Sequence, residues 1–169
     1  MTNFPINIMI CGINEVNDFI DDADAIISIM NPGYQIFAPR SITHFESENP
    51  HSVLRLEFDD TWKEEYQPGE EIITQEILEE VIYFAQEFVY DKHQTNFLIH
   101  CHEGISRSTG IAIAIYTSIT EDYKLAIEKV IEERPSAKPN IEIIRLTDDM
   151  FNLQGKLIDA VFSEFYINL

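Results

Sequence analysis

The sequence predicts an α/β domain with a central, largely parallel sheet flanked by helices. Three observations carry that expectation. Short apolar runs of strand length recur at residues 6–10, 25–30, 53–58 and 96–100. Helical stretches alternate with the later runs, an order that favours parallel pairing. The 169 residues hold no internal repeat, low-complexity tract or linker, so residues 1–169 read as one domain with a sizeable core.

The elements follow in order. Ile6–Ile10 forms a first strand ending at Cys11-Gly12. Asn14 is placed to cap a short helix through Ile20, with Val16, Phe19 and Ile20 facing inward. Ala25–Met30 is a second strand, stopped by the turn Asn31-Pro32-Gly33. Pro39 breaks Tyr34–Glu48, which reads as a short strand or an irregular loop. Val53–Phe58 puts Leu54, Leu56 and Phe58 on one face and Arg55 and Glu57 on the other.

After loop-like Lys63–Gly69, apolar residues at Ile73, Ile77, Val81, Phe84 and Phe88 predict a long amphipathic helix. Asn96–His100 is the last strand. Ser108–Ile119 is apolar nearly all round, as a buried central helix is. Asp122–Glu133 is amphipathic and stops before Pro135. Asn140 caps a further helix through Phe151, and Gly155 either kinks it or divides it from Lys156–Tyr166.

Composition narrows the function. Acidic residues outnumber basic ones 30 to 11, for a formal charge of -19. A chain so negative repels nucleic acid and anionic membrane surfaces, so neither is expected as a partner. No apolar run reaches membrane-spanning length, and Met1–Pro5 lacks the basic start of a secretory signal. The two cysteines, Cys11 and Cys101, lie far apart, which speaks for a reducing, cytoplasmic setting and against a disulfide framework.

The chemistry concentrates in His100-Cys101-His102-Glu103-Gly104-Ile105-Ser106-Arg107-Ser108, between the last strand and the central helix. A tight loop at a helix N-terminus turns backbone N–H groups toward a common centre, which is an anion site. A cysteine at its base is held as a thiolate by that field. The N–H groups of His102, Glu103, Gly104, Ile105, Ser106 and Arg107 are the expected phosphate ligands. The Arg107 guanidinium can hold two phosphoryl oxygens at once. Gly104 permits positive φ and keeps side chains off the anion. Ser108 is placed to hydrogen-bond the departing Cys101 thiolate. His100, pointing away from Cys101, is expected to orient the loop through its carbonyls.

His-Cys-x-x-Gly-x-x-Arg-Ser at positions 100–108 resembles the signature of the cysteine-based protein tyrosine phosphatases. The length resembles their dual-specificity subgroup, as do Arg134-Pro135 and Pro139-Asn140 after the loop. The resemblance covers about Val53–Leu146. It implies a two-step reaction on a phosphorylated protein or peptide, in which Cys101 takes the phosphoryl group and water releases it, with no metal or other cofactor.

The resemblance also implies a general acid just beyond an alternating strand. Leu56-x-Phe58-x-Asp60 fits that register, with Asp59 as the competitor. Asp60 and Cys101 stand 41 positions apart, more than the resemblance implies, and the excess falls in Lys63–Glu70. Trp62 and Tyr66 read either as stacking partners for an aromatic substrate or as residues that pin the loop.

Other readings are weaker. His93, His100, Cys101 and His102 lack any zinc spacing, and neighbouring strand residues face opposite ways. Cys11 has Asn17 where a second phosphate loop would need arginine, so it reads as a small core residue. A rhodanese-like sulfurtransferase would have a shorter loop, and a non-catalytic phosphate-binding module would be expected to lack the cysteine or the arginine. Phosphoinositide and RNA 5'-phosphate substrates are disfavoured by Glu103 and the overall charge.

Overall fold

The structure, a computed structural model, describes residues 5–91 and 94–167. Within them β1 (Ile6–Gly12), β2 (Ala25–Met30), β3 (Val53–Glu57) and β4 (Thr95–Cys101) form one sheet in the order β1-β4-β2-β3. Every pairing is parallel, so the α/β expectation holds and the sheet is wholly parallel among the described residues. The helices are α1 (Val16–Phe19), α2 (Arg40–Glu48), α3 (Gln75–Asp91), α4 (Arg107–Thr120), α5 (Tyr123–Glu133), α6 (Ile141–Met150) and α7 (Lys156–Phe165). Among the described residues no helix is long and apolar enough to cross a membrane.

Strand alternation sorts side chains onto two unequal cores. Ile6, Ile8, Ile10, Ile27, Ile29, Leu56, Phe97, Ile99 and Cys101 share the larger one with α3 to α7. Cys11, Ile26 and Leu98 face a smaller one, with Val16 of α1 and Ile42 of α2. Coverage on both faces explains why β2 reads as a largely apolar run. β1 lies at a sheet edge, and side chains occupy its outward N–H groups. Tyr116 accepts from Ile8 at 3.1 Å, Glu133 from Ile10 at 3.2 Å and Glu15 from Gly12 at 2.7 Å.

Two expectations change and a third narrows to one of its alternatives. Tyr34–Glu48 is neither strand nor irregular loop: it forms a single 3₁₀ turn (Gln35–Phe37) and then α2. Pro39 stands at the N-cap of α2 and starts the helix, while Ile42 and Phe45 supply its apolar side. Asn14 does not cap α1. Glu15 occupies that position, with its carboxylate turned back to the Gly12 N–H. Gly155, at φ 84°, divides α7 from α6, which settles the choice left open between a kink and a break. Asn140 does cap α6, accepting from the Ile143 N–H at 3.2 Å.

Candidate active site

β4 and α4 deliver Cys101 and Arg107 to the two ends of a five-residue loop. Loop geometry begins at Gly104, whose φ is +70° and whose missing Cβ would lie 2.4 Å from the Cys11 carbonyl carbon and 2.6 Å from the Gly12 nitrogen. Only glycine fits there, because the backbone at the end of β1 fills the space behind the loop.

The loop carbonyls point outward. His102 accepts from the Ile13 N–H at 3.0 Å, Ile105 from Lys138 at 2.9 Å and Ser106 from Asn140 at 3.1 Å. Arg134 donates to the Glu103 carbonyl at 3.1 Å. In a planar trans peptide the next N–H points the opposite way. The N–H groups of Glu103, Gly104, Ser106 and Arg107 therefore turn inward, and that of Gly104 reaches the Cys101 sulfur at 3.3 Å. The Ser108 hydroxyl lies 3.2 Å from the same sulfur, and the N-terminus of α4 adds its dipole.

Arg107 is buried and donates from Nη1 to the Phe58 carbonyl at 2.8 Å. Its Nε is buried with no hydrogen-bond partner. A buried guanidinium donor left over beside inward N–H groups is what an oxyanion would satisfy. A cavity of about 670 Å³ opens here, and Asp60, Cys101, Arg107, Lys138, Tyr34 and Tyr166 are among its lining residues.

His100 lies on the opposite sheet face from Cys101, as strand alternation requires. Its Nε2 is 2.8 Å from the Ser28 hydroxyl and its Nδ1 3.3 Å from the Cys101 carbonyl. Burial pushes its pKa down to about 4, so the ring is neutral. A carbonyl can only accept, which assigns the ring proton to Nδ1 and leaves Nε2 to accept from Ser28. Cys11 pairs with His100 in the β1–β4 register and shares its face. It is fully buried, and burial, with the Glu15 carboxylate second, pushes its thiol up to about 12.

The two candidate acids part company. Asp60 lines the cavity, and its Oδ1 accepts from the Ser106 hydroxyl at 2.6 Å and the Asn140 amide at 2.9 Å. Asp59 turns away and clasps Glu71. Its N–H donates to the Glu71 carbonyl at 2.7 Å, and its Oδ2 accepts from the Glu71 N–H at 2.8 Å. That clasp closes the base of the excursion holding the extra residues. Glu142 accepts from the Lys63 N–H at 3.1 Å, and Glu64 pairs with Arg145 at 2.6 Å, so the excursion lies over α6. Trp62 packs on the larger core, and Tyr66 borders a small separate cavity with Lys63, Glu70 and Ile72. Neither lines the main one.

Sequence reading missed several residues that set this geometry. Asn140 uses Oδ1 to cap α6 and its amide to hold both Asp60 and the Thr61 carbonyl. Arg134 grips the Glu15 carboxylate with both terminal nitrogens, at 3.1 and 2.9 Å, while holding the Glu103 carbonyl. The Arg-Pro pair was the only signal of Arg134, and for Asn140 the sequence showed the cap but not the hold on Asp60. Among the described residues no cluster of His, Cys, Asp and Glu is arranged to hold a metal ion. His93 lies outside the described residues.

No family model matches the sequence, and no curated protein matches it. Solved structures do share its fold. The Cydia pomonella PTP-2 phosphatase is 19% identical with a TM-score of 0.64, covering 85% of this chain and 84% of that one. Tk-PTP in its active form is 19% identical with a TM-score of 0.60, over 87% and 91% of the two chains. PTPMT1, solved in complex with PI(5)P, is 15% identical with a TM-score of 0.61, over 90% of each chain. The fold is that of the protein tyrosine and dual-specificity phosphatases.

Proposed function

We propose that this chain, built on the fold of the cysteine-based phosphatases, hydrolyses phosphotyrosine in proteins, and phosphoserine or phosphothreonine where they reach the cavity floor. The observation that carries the reading is the buried Arg107 Nε without a partner, beside a loop with four of its five carbonyls bonded outward. Such a site neutralises charge on three phosphoryl oxygens as the phosphorus–oxygen bond breaks.

In the first step the Cys101 thiolate attacks phosphorus in line with the leaving oxygen. Asp60 protonates that oxygen as it departs, and a cysteinyl phosphate remains. In the second step the Asp60 carboxylate takes a proton from water as the water oxygen bonds to phosphorus, the sulfur–phosphorus bond breaks, inorganic phosphate leaves, and Ser108 donates a hydrogen bond to the returning thiolate. The Ser106 hydroxyl and the Asn140 amide both hold Asp60 by Oδ1, so Oδ2 is the oxygen that carries the transferred proton. Arg107 couples the steps structurally, because its Nη1 holds the Phe58 carbonyl two residues before Asp60.

A phosphoinositide substrate is the second reading, prompted by the fold neighbour solved with PI(5)P. The charge of -19 weighs against it, since an anionic lipid surface is repelled. Turnover of an aryl phosphate, a phosphotyrosine peptide and vesicle-borne phosphoinositide, by wild type and Cys101→Ser side by side, tests the assignment. The expected result is chelator-resistant, vanadate-sensitive turnover of the first two by wild type only. Phosphoinositide turnover far above both would reverse the order of the readings.

A further inference from the structure

The turn after β2 is built inside out. Gln35 points inward, donating to the carbonyls of Ser28 and Leu56 at 2.9 and 3.0 Å. Its side-chain oxygen accepts from Arg55 at 3.3 Å. The Glu57 carboxylate takes the N–H groups of Gly33 and Gln35 at 3.1 and 3.2 Å. The apolar residues around that polar plug face solvent: Tyr34 is 55% exposed, Ile36 81% and Phe37 64%. Burial alone would select the opposite arrangement. Tyr34 also borders the cavity, and its ring lies 5.6 Å from that of Phe37.

Resting on the phosphatase reading of the cavity, we infer that the Tyr34–Phe37 turn docks a large apolar side chain of the phosphorylated polypeptide, within a few residues of the phosphorylated one. Continuity with the cavity and charge both point to that occupant. An extended peptide advances ~3.3 Å per residue, so a chain leaving the cavity past Tyr34 covers the 5.6 Å to the Phe37 ring in about two residues. A membrane is the other surface that welcomes exposed apolar side chains beside a phosphate site. The charge of -19 repels anionic headgroups, while a neutral or basic peptide segment meets no such barrier. The turn is also joined to the catalytic loop, since Gln35 holds the Ser28 carbonyl and the Ser28 hydroxyl supports His100.

The test uses two phosphotyrosine peptides that differ only in carrying leucine or serine at the three positions on each side. Wild type and the Ile36→Ser/Phe37→Ser variant are compared by kcat/KM, each normalised to turnover of a small aryl phosphate. Neither replaced residue is buried in the core, and matching thermal melts confirm the fold. Wild type should prefer the leucine peptide by about tenfold, chiefly through KM, and the variant by less than about twofold. Equal turnover of the two peptides by wild type, or a preference the variant keeps, overturns the inference.

A parallel arm measures binding of both peptides to Cys101→Ser protein with and without the turn substitutions. If wild type hydrolyses nothing, the phosphatase reading falls, and this arm alone decides the docking surface. Two other results also overturn the inference. One is loss of phosphoinositide turnover on vesicles with peptide preference intact, which assigns the turn to a membrane. The other is conversion of a dimer to a monomer by the variant in sedimentation, which assigns it to a second copy of the chain.

Discussion

The loop around Cys101 and the loop around Asp60 meet at one cavity but are held in different ways. The first spans five residues, and four of its carbonyls bond to surrounding framework: Ile13 just after β1, Arg134 and the segment before α6. Its glycine sits hard against the Cys11–Gly12 backbone. The second is a long excursion between β3 and α3, anchored at separate points by Asp59, Asn140, Glu142 and Arg145. A phosphate cradle needs N–H groups that do not reorganise as charge develops, whereas an acid that must admit and release substrate needs a tether it can leave. Under the proposed mechanism the first requirement falls on the Cys101 loop and the second on the segment that carries Asp60.

Substitutions can break that contrast. Gly104→Ala should have the largest effect, because the new Cβ meets backbone on β1 and the residue is left at positive φ. Turnover should fall by more than about 10³-fold and vanadate binding should be lost, read by steady-state kinetics and calorimetry. Asp60→Asn should slow turnover of a substrate with a poor leaving group by about 10²-fold and remove the fall in rate at high pH. Asp59→Asn, which disturbs only the clasp to Glu71, should leave that limb in place. The reverse outcome would move the acid to Asp59.

His100 offers a readout of the rigid loop through stability. Its pKa is about 4 in the fold against an ordinary 6.5. Above 6.5 both folded and unfolded chains hold a neutral ring, and its contribution is complete. Below that, the unfolded chain binds a proton that the buried ring refuses. Stability should therefore fall as pH drops from about 6.5 to about 4, by on the order of 3 kcal/mol. Urea denaturation of wild type and His100→Asn across that range measures it, and a steeper acid loss in the variant would contradict the assignment.

Asn140→Ala should act most mildly, freeing Asp60 and uncapping α6 together. A rate loss of about tenfold and a stability loss of about 1 kcal/mol are expected. Asn140→Ser keeps a capping oxygen without the amide donor or an added charge. It should recover most of the stability and little of the rate, which separates positioning of Asp60 from simple support of α6.

The same contrast governs what could be read from the chain alone. The rigid loop is local: a strand, nine residues and a helix start carry its geometry, so Cys101, Gly104, Arg107 and Ser108 were legible together. The sheet was legible because strands buried on both faces leave largely apolar runs, as Ala25–Met30 does with Ser28 as its one polar residue. The supports of the loop were not, since Arg134 and Asn140 act on residues dozens of positions away through side chains whose direction depends on the tertiary fold. Pro39 misled for a related reason. A proline ends one helix and begins another with the same ring, and only the packing of Ile42 and Phe45 against the smaller core decides between them. The outward Tyr34–Phe37 turn was illegible because its apolar residues, by composition, belong inside.

The claim on which all of this rests is that Cys101 carries the phosphoryl group between the two steps. Acid quenching of wild-type protein within milliseconds of mixing with an aryl phosphate, followed by peptide mass analysis, observes that intermediate directly. Phosphate should appear on Cys101 at up to one equivalent, decay as inorganic phosphate accumulates, and be absent from Cys101→Ser. Phosphate on another residue, or steady turnover by the Cys101→Ser protein, would contradict it.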